Sequence, residues 1–245
     1  MDHLKTLNEE VTLVIPAHGR PEMTHRLLES LRKAGAGYQI ILVDDATPEP
    51  LLDDPKHIQG LRLCILRNST RVGPAASRNI GIGSATTRFV AFTDNDVEVS
   101  AEWLVRLHQH LAEAPKDVAG VGGRVLDDGS NLVGRYSTRF HLLDPHVHQG
   151  RVMYLVTANC LIRRDCILKV GGFNESFDTP GGEDPELSFR LLKAGYRLEF
   201  NREAVVVHHY ESSWLKFFRL FQRYGRGCRK AMNVLAFPHK NSPEH

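Results

Sequence analysis

The chain has little cysteine and little net charge, and each shortage excludes classes of protein. Its 245 residues include only 4 cysteines, with no Cys-x-x-Cys pair and no companion histidine at zinc-finger spacing. The sequence therefore predicts free thiols in a reducing compartment. The 31 basic and 29 acidic residues leave a formal net charge of +2, which gives no reason to expect a nucleic-acid partner. The cysteines are Cys64, Cys160, Cys166 and Cys228.

Long apolar runs are also absent from the sequence. No run approaches the roughly 18 apolar residues of a membrane-spanning helix. Residues 1–10 are polar and acidic, whereas a secretory signal is basic and then apolar. We therefore expect a soluble, cytoplasmic protein. With 42% hydrophobic and 24% charged residues, the chain has the composition of an ordinary globular protein with a sizeable core.

Short apolar, β-branched runs alternate with helical patterns along the chain. The first four runs predict buried parallel strands. Pro21 opens a helix that Gly35 ends, Pro74 opens a second helix, and residues 100–113 predict a third. This alternation predicts an α/β fold with an open, mostly parallel sheet and helices on both faces, whose ligands bind beyond the carboxyl ends of the strands. The runs are residues 11–15, 39–43, 62–66, 88–93, 118–125, 154–162 and 204–207.

The motif that restricts function most is Asp94-Asn95-Asp96, directly after the fourth run. Two carboxylates held about 4 Å apart repel by roughly 4 kcal/mol at an effective dielectric constant near 20. A fold that points both into one cleft usually places a cation between them, and oxygen ligands suit Mg²⁺ or Mn²⁺. The alternative is a polar turn, in which Asp and Asn bind local backbone donors.

Polar residues also follow the first and second runs. Pro16-Ala17-His18 comes after the first run, and Asp44-Asp45 comes after the second. Because the carboxyl ends of parallel strands meet at one edge of a sheet, these residues are expected beside the Asp94 motif. The Asp44-Asp45 pair is also typical of a loop opening, but two acidic pairs at equivalent strand ends favour a shared ligand.

Residues 126–151 break the pattern with glycines, Pro145 and three histidines. We interpret this segment as a long loop or small excursion, and loops of this length in compact domains are commonly functional, so a substrate-covering role is expected. The histidines lack a convincing metal spacing and are expected to be solvated. They are His141, His146 and His148.

A C-terminal amphipathic helix is predicted over residues 212–232, with Ser212 or Ser213 as its cap. Its aromatic stripe has the spacing of a core-packing face, and its basic side chains fall on the opposite, solvated face. That basic face is also compatible with an anionic lipid surface or acceptor, so peripheral contact with the inner face of the membrane is an open alternative. The stripe is Trp214, Phe217, Phe218, Phe221 and Gly225, and the basic residues are Lys216, Arg219, Arg223, Arg226 and Lys230.

Six motifs follow one another along the chain, at residues 14–16, 43–45, 75–81, 92–96, 171–175 and 182–190. In this order they resemble the motifs of family 2 glycosyltransferases with the GT-A fold, over about residues 10–225. The resemblance implies inverting transfer of a sugar from a nucleotide-diphosphate donor, expected to be a UDP-sugar, to a hydroxyl of a saccharide, lipid-linked or small-molecule acceptor. It further implies one domain over residues 1–235, with the donor half at about 10–100, the acceptor half at about 101–210 and a tail at 236–245.

The same resemblance implies roles for the donor-side residues. Asp96 would hold a Mn²⁺ or Mg²⁺ ion, Asp94 would contact the ribose or a metal-bound water, and His208 would be a further metal ligand, although His209 is the alternative. Pro16, Ala17, Asn95 and either Asp44 or Asp45 would surround the nucleotide. Arg78 and Asn79 would mainly position the chain, with a donor contact open to Asn79.

On the acceptor side, the resemblance places the general base in the pair Glu183-Asp184. Asp184 would accept the proton of the acceptor hydroxyl, and Glu183 would orient the acceptor or the base. The alternative for a carboxylate just before a helix is an N-cap.

Three other classes of protein share parts of this pattern. A haloacid-dehalogenase-like phosphotransferase carries its Asp-x-Asp at the end of the first strand, where this chain has it after the fourth, and has Thr or Val at the second position after the motif, where this chain has Glu98. A sugar-1-phosphate nucleotidyltransferase needs a Gly-rich basic loop after the first strand, and residues 16–20 are a poor match. A non-catalytic sugar-nucleotide or glycan-binding protein is disfavoured by the presence of Asp94, Asp96 and Asp184.

Overall fold

The computed structural model describes residues 2–49, 51 and 59–234, in which helices and strands alternate as predicted. The strands are β1 (Val11–Ala17), β2 (Gln39–Asp44), β3 (Arg62–Arg67), β4 (Phe89–Phe92), β5 (Val97–Val99), β6 (Val118–Asp127), β7 (His146–His148), β8 (Arg151–Tyr154), β9 (Cys160–Arg163) and β10 (Arg197–His208). The helices are α1 (Asp2–Glu10), α2 (Pro21–Lys33), α3 (Pro74–Ser84), α4 (Trp103–Glu113), α5 (Leu132–Arg139), α6 (Arg164–Lys169), α7 (Glu183–Lys193) and α8 (Trp214–Val234).

One mostly parallel sheet organises these elements, in the order β3-β2-β1-β4-β9-β6-β10-β5. The first four strands of the order pair in parallel, β10 pairs in parallel with β6, and β9 is antiparallel to both of its neighbours. At the far edge β5 runs antiparallel to β10, and β7 pairs with β8 in a separate hairpin. The predicted α/β architecture is confirmed.

Helices cover both faces of the sheet, which explains why its inner strands β1, β2 and β4 are largely apolar and buried. All seven residues of β1 are buried. Leu13 and Ile15 pack with Leu27 of α2 and Leu104 of α4, whereas Val14 packs into a second core that includes side chains of α3 and α7. Because successive strand residues point to opposite faces, one short apolar run supplies both cores.

Two predictions about the strands were wrong in detail. The run at 62–66 forms β3, but this strand is largely exposed because it is the outermost strand and pairs only with β2. The run at 154–162 is not continuous. It divides into the end of β8 and the start of β9, and the turn between them contains Thr157 and Asn159.

The segment at 126–151 contains regular structure within the predicted excursion. Asn131 caps α5 by accepting a hydrogen bond from the Gly134 backbone N–H, and the hairpin strands follow. The structure also contains α1 and β5, which no sequence pattern predicted.

The aromatic stripe of α8 is mostly exposed, so its predicted packing against the core was wrong. Phe217 is buried, whereas Phe218 is 61% exposed and Trp214 is 42% exposed. The reason is that α8 packs against α7 through a different seam, in which Gly227 and Ala231 are buried. Among the described residues, no helix has the length and apolar character that a membrane span requires.

Candidate active site

A cavity of about 1150 Å³ lies beyond the carboxyl ends of β1, β2 and β4. It is bounded on one side by the residues after these strands and on the other by the start of α7, the end of β10 and one face of α8. A cavity therefore lies at the position where an open α/β sheet is predicted to bind its ligand.

Asp96 lies at the centre of the donor side of this cavity. Its Oδ1 is 3.2 Å from Nε2 of His208, and its Oδ2 accepts a 2.6 Å hydrogen bond from the Arg20 guanidinium. Burial alone would raise the pKa of Asp96, but the charges of His208 and Arg20 outweigh it and lower that pKa to about 2. The carboxylate is therefore ionised at any physiological pH.

Arg78 connects the residues that follow β4 to the start of α7. Its guanidinium is 3.0 Å from Asp94 and 3.1 Å from Glu183, and its side chain is only 4% exposed. Burial raises the pKa of Asp94 even though Arg78 opposes the shift. One buried cation thus holds carboxylates from two distant parts of the chain in one place.

Asp184 faces the same cavity from the first turn of α7. Both of its oxygens accept hydrogen bonds from Thr157, one from the backbone N–H at 3.1 Å and one from the hydroxyl at 2.9 Å. Burial and then the negative charge of Glu183 raise the pKa of Asp184 to about 7. The helix N-cap is Gly182, without a side-chain cap bond, so neither acidic residue occupies the N-cap position.

Close backbone packing fixes the turn that starts α7. Gly181 and Gly182 have φ values of +124° and +99°, which residues other than glycine rarely adopt. A Cβ on Gly227 of α8 would lie 1.8 Å from the Gly181 carbonyl oxygen. Helix α8 therefore rests directly on the backbone that aims Glu183 and Asp184.

The two carboxylates after β2 have different positions. Asp45 lines the cavity, and its oxygens accept hydrogen bonds from the Asn68 side chain and from the backbone N–H groups of Val72 and Gly73. Asp44 is not in the cavity lining within the described part of the chain; it pairs with Arg67 at 2.8 Å. Of the pair, only Asp45 is placed for direct contact with a ligand.

The other predicted donor residues divide in the same way. Pro16 and Ala17 line the cavity. Asn95 also lines it, but its side-chain amide donates to the Gly19 carbonyl and Thr24 hydroxyl and so holds the loop after β1. Asn79 is absent from the lining of the cavity as described, and instead bonds to both backbone groups of Phe173.

The geometry separates the two adjacent histidines. Both ring nitrogens of His209 are occupied, by Asp128 and by Glu98, each at 2.8 Å. His208 instead directs Nε2 at Asp96, and its buried Nδ1 has no hydrogen-bond partner.

These donor atoms fit a divalent cation that takes the rest of its ligands from a substrate. No cluster of three or more metal-binding side chains is preformed within the described ranges. Mg²⁺ and Mn²⁺, however, are commonly bound by one or two carboxylates together with substrate phosphates and waters. The carboxylate of Asp96 and the facing nitrogen of His208 match that partial set.

Sequence reasoning missed three side chains of the cavity. Arg20 follows β1 at the strand edge where ligands are expected, so its position was a usable signal. Thr157 was hidden inside an apolar run that was interpreted as one strand. Glu211 bonds Arg20 at 3.2 Å, and no local pattern connects residues so far apart in sequence.

Comparison with known proteins identifies the family. Residues 12–171 match the model of glycosyl transferase family 2. The chain belongs to this family. It is 32% identical over 244 residues to a pre-mycofactocin glycosyltransferase of Mycobacterium tuberculosis, covering 96% of this chain and 50% of that protein. It is 31% identical over 175 residues to the succinoglycan biosynthesis protein ExoM of Rhizobium meliloti, covering 64% of this chain and 56% of that protein.

Solved structures show that this family member has the GT-A fold. GalNAc-T7 in complex with UDP, GalNAc and Mn²⁺ aligns with a TM-score of 0.66 and 17% identity, over 92% of this chain and 48% of that one. The mannosyltransferase PcManGT of Pyrobaculum calidifontis, with GDP-Man and Mn²⁺, aligns with a TM-score of 0.66 and 17% identity, over 90% of this chain and 64% of that one. The predicted GT-A fold is confirmed, and the chain spans about half the length of its first curated relative.

Proposed function

We propose that the protein is a metal-dependent glycosyltransferase that moves a sugar from a nucleotide-diphosphate donor, in particular a UDP-sugar, to an acceptor hydroxyl with inversion. The observation that carries this proposal is the convergence of Asp96, His208 and Asp184 on one cavity at the strand ends. Family membership supports it, as do the nucleotides and Mn²⁺ bound by GalNAc-T7 and PcManGT. Residues 1–235 are proposed to form one domain.

On the donor side, Pro16, Ala17 and Asp45 surround the base and ribose in this proposal, with Asp44 and Asn95 holding the loops that carry them. Asp96 and His208 would hold the divalent ion, and Asp94 would contact the ribose or a water on that ion. When bound, Mn²⁺ or Mg²⁺ would offset the negative charge that develops on the leaving diphosphate.

On the acceptor side, Asp184 is the general base, and Glu183, which is held by Arg78, helps to orient the acceptor or the base. The acceptor oxygen attacks the anomeric carbon, a new C–O bond forms on the face opposite the diphosphate, and the hydroxyl proton passes to Asp184. The bond from the anomeric carbon to the diphosphate oxygen breaks, and its electron pair leaves with the nucleotide. Thr157 holds the carboxylate, which preserves its orientation between turnovers.

Calorimetry of UDP binding tests the donor site. UDP is expected to bind more tightly with Mn²⁺ than without it, and Asp96→Ala should abolish that gain because the variant lacks the cation's carboxylate ligand. Asp117→Ala is the matched control, because Asp117 is an exposed acidic residue paired with Arg197. UDP binding that is indifferent to Mn²⁺ would contradict the proposal.

We also propose that the enzyme acts in the cytoplasm at an anionic membrane surface, to which α8 binds. This helix carries six basic residues and no acidic one, and its exposed apolar side chains include Leu215 and Phe218. Each Lys or Arg near an anionic leaflet contributes about 1 kcal/mol. Other residues of α8, including Leu220 and Tyr224, line the cavity, so a lipid-linked acceptor would enter from this side.

Vesicle flotation tests the membrane contact. The protein should float with vesicles that contain phosphatidylglycerol, but not with pure phosphatidylcholine, and salt should reverse the binding. Leu215→Ser combined with Phe218→Ser should weaken flotation, because both side chains are about 60% exposed and neither lines the cavity. Ile65→Ser on β3, an exposed apolar residue of the edge strand, is the control and should float normally. Equal flotation on both lipids would refute this contact.

A further inference from the structure

Arg20 is a cavity cation for which neither the predicted motifs nor the proposed chemistry provides a role. It follows β1 and precedes Pro21, and it has left-handed backbone angles, φ 58° and ψ 54°. Non-glycine residues rarely adopt this conformation, and where they do the surrounding structure usually imposes it at a functional site.

The backbone around Arg20 is held firmly while its side chain extends into the cavity. The Gly19 N–H donates to the Thr47 hydroxyl at 3.0 Å, and the Gly19 carbonyl accepts from Asn95 at 3.2 Å. The carbonyl of Arg20 itself accepts hydrogen bonds from the first turn of α2. Its side chain, in contrast, is 45% exposed, so the guanidinium has room to change partners.

The guanidinium occupies one of the two oxygens that the cation site depends on. It bonds Oδ2 of Asp96 at 2.6 Å while its other nitrogen lies 3.2 Å from Glu211, which also pairs with Lys216. A divalent ion at Asp96 would face this positive charge at short range, and like charges at such distances repel strongly in a partly buried site. A diphosphate between the ion and the guanidinium replaces this repulsion with a net attraction, because its oxygens attract both cations.

We propose that Arg20 makes cation binding at Asp96 depend on the donor's diphosphate. Without nucleotide, the guanidinium is the counter-ion of Asp96 and keeps Mn²⁺ affinity low. With nucleotide, it turns to the diphosphate and releases Oδ2. Metal and nucleotide therefore bind with positive coupling, and Arg20 is a positioning residue for the reaction. This inference rests on the proposed function, since it takes Asp96 as the cation's ligand.

Titration of Mn²⁺ by electron paramagnetic resonance, with and without UDP, tests the inference apart from activity. Arg20→Ala should bind Mn²⁺ alone at least about 5-fold more tightly than the wild type, which is the low end of ordinary coupling between sites. It should bind UDP less tightly at saturating Mn²⁺, so the coupling between the two ligands decreases. Arg20→Gln, which keeps a polar chain of similar length without the charge, should behave in the same way.

Lys216→Ala is the matched control, because it removes a second cation from Glu211 without touching Asp96. Its Mn²⁺ affinity without UDP should equal that of the wild type. The inference is overturned if both Arg20 variants bind Mn²⁺ alone no more tightly than the wild type while wild-type coupling to UDP is present. If wild-type UDP binding is indifferent to Mn²⁺, the proposed function fails as well, so the two failures are distinguishable.

Discussion

At the scale of single residues, the cavity holds a carboxyl, that of Asp184, whose pKa lies near neutral pH. Burial and then the charge of Glu183 raise the pKa of Asp184 to about 7, whereas the carboxylate of Asp96 stays ionised. Two acidic side chains in one cavity are thus suited to different tasks, one to accept a proton and one to bind a cation.

The rate of sugar transfer should rise as the pH increases through about 7, because only the ionised carboxylate of Asp184 can accept the acceptor's proton. Measuring kcat from pH 5.5 to 8.5 with saturating donor and Mn²⁺ checks this. Asp184→Asn should lower kcat by about 10²–10⁴-fold and remove the pH step while UDP still binds. A flat profile for the wild type between pH 6 and 8 would assign the base elsewhere.

At the scale of elements, the contact between α7 and α8 determines where Glu183 and Asp184 point. The glycines of this contact leave no room for a side chain, since a Cβ on Gly182 would lie 2.4 Å from the Gly227 carbonyl group. Any movement of α8 along this seam must therefore move the start of α7.

Gly227→Ala should lower both the midpoint of thermal unfolding and the rate of transfer, because the added methyl group would overlap the backbone of Gly181. Gly225→Ala is the matched control on the same helix, where nothing lies within 4 Å of the added Cβ. It should be neutral or stabilising by up to about 1 kcal/mol through helix propensity. The comparison needs only thermal unfolding and a donor-hydrolysis assay, and equal effects of the two variants would refute the contact.

At the scale of the whole molecule, the site lowers the stability of the fold above neutral pH. The folded protein keeps the Asp184 proton up to about pH 7, whereas the ordinary pKa of an Asp carboxyl is 3.8. The folded state therefore binds more protons over that interval, and the free energy of unfolding falls as the pH rises through it. Asp96 acts oppositely, because its lowered pKa stabilises the folded state above about pH 3.8 and loses this effect toward about pH 2.

Asp184→Asn should consequently unfold at a higher temperature than the wild type at pH 8, by about 2–4 °C for each kcal/mol recovered. The difference should shrink as the pH is lowered toward 4, where the wild-type carboxyl is protonated in the folded state and increasingly so in the unfolded state. Asp117→Asn is a suitable control, because pairing with Arg197 lowers the pKa of Asp117. Removing this carboxylate should therefore not raise the unfolding temperature at pH 8. Differential scanning calorimetry at both pH values measures the effect.

The features that the sequence predicted correctly are those that depend on neighbouring residues in the chain. The runs that form β1, β2 and β4 were recognised because buried parallel strands are apolar throughout, and the polar residues after them then identified the cavity edge. The general position of Asp96 and Asp184 came from motifs, not from periodicity. Strand patterns and motifs are local, so they predicted only the strands and the site positions that local sequence determines.

What escaped prediction depends on contacts between distant parts of the chain. The turn before β9 is fixed by Asn159, whose amide donates to the carbonyls of Arg124 and Ala204, and by Thr93, whose hydroxyl bonds to the Ala158 carbonyl. That turn carries Thr157, the hydrogen-bond partner of Asp184, so the orientation of the Asp184 carboxylate is decided by tertiary structure. The exposure of the aromatic stripe of α8 also escaped prediction, because amphipathic spacing does not determine which face of a helix packs against the rest of the protein.

The outer position of β3 has a practical consequence for experiments on this protein. Its exposed thiol, Cys64, belongs to the strand at the edge of the sheet and is absent from the cavity lining within the described ranges. Cys160 and Cys166 are buried, and burial raises the pKa of both thiols, as it does for Cys228 on α8. Because its thiol is exposed and lies outside the described cavity lining, Cys64 is a natural attachment point for a fluorophore or a surface tether, without any engineered cysteine.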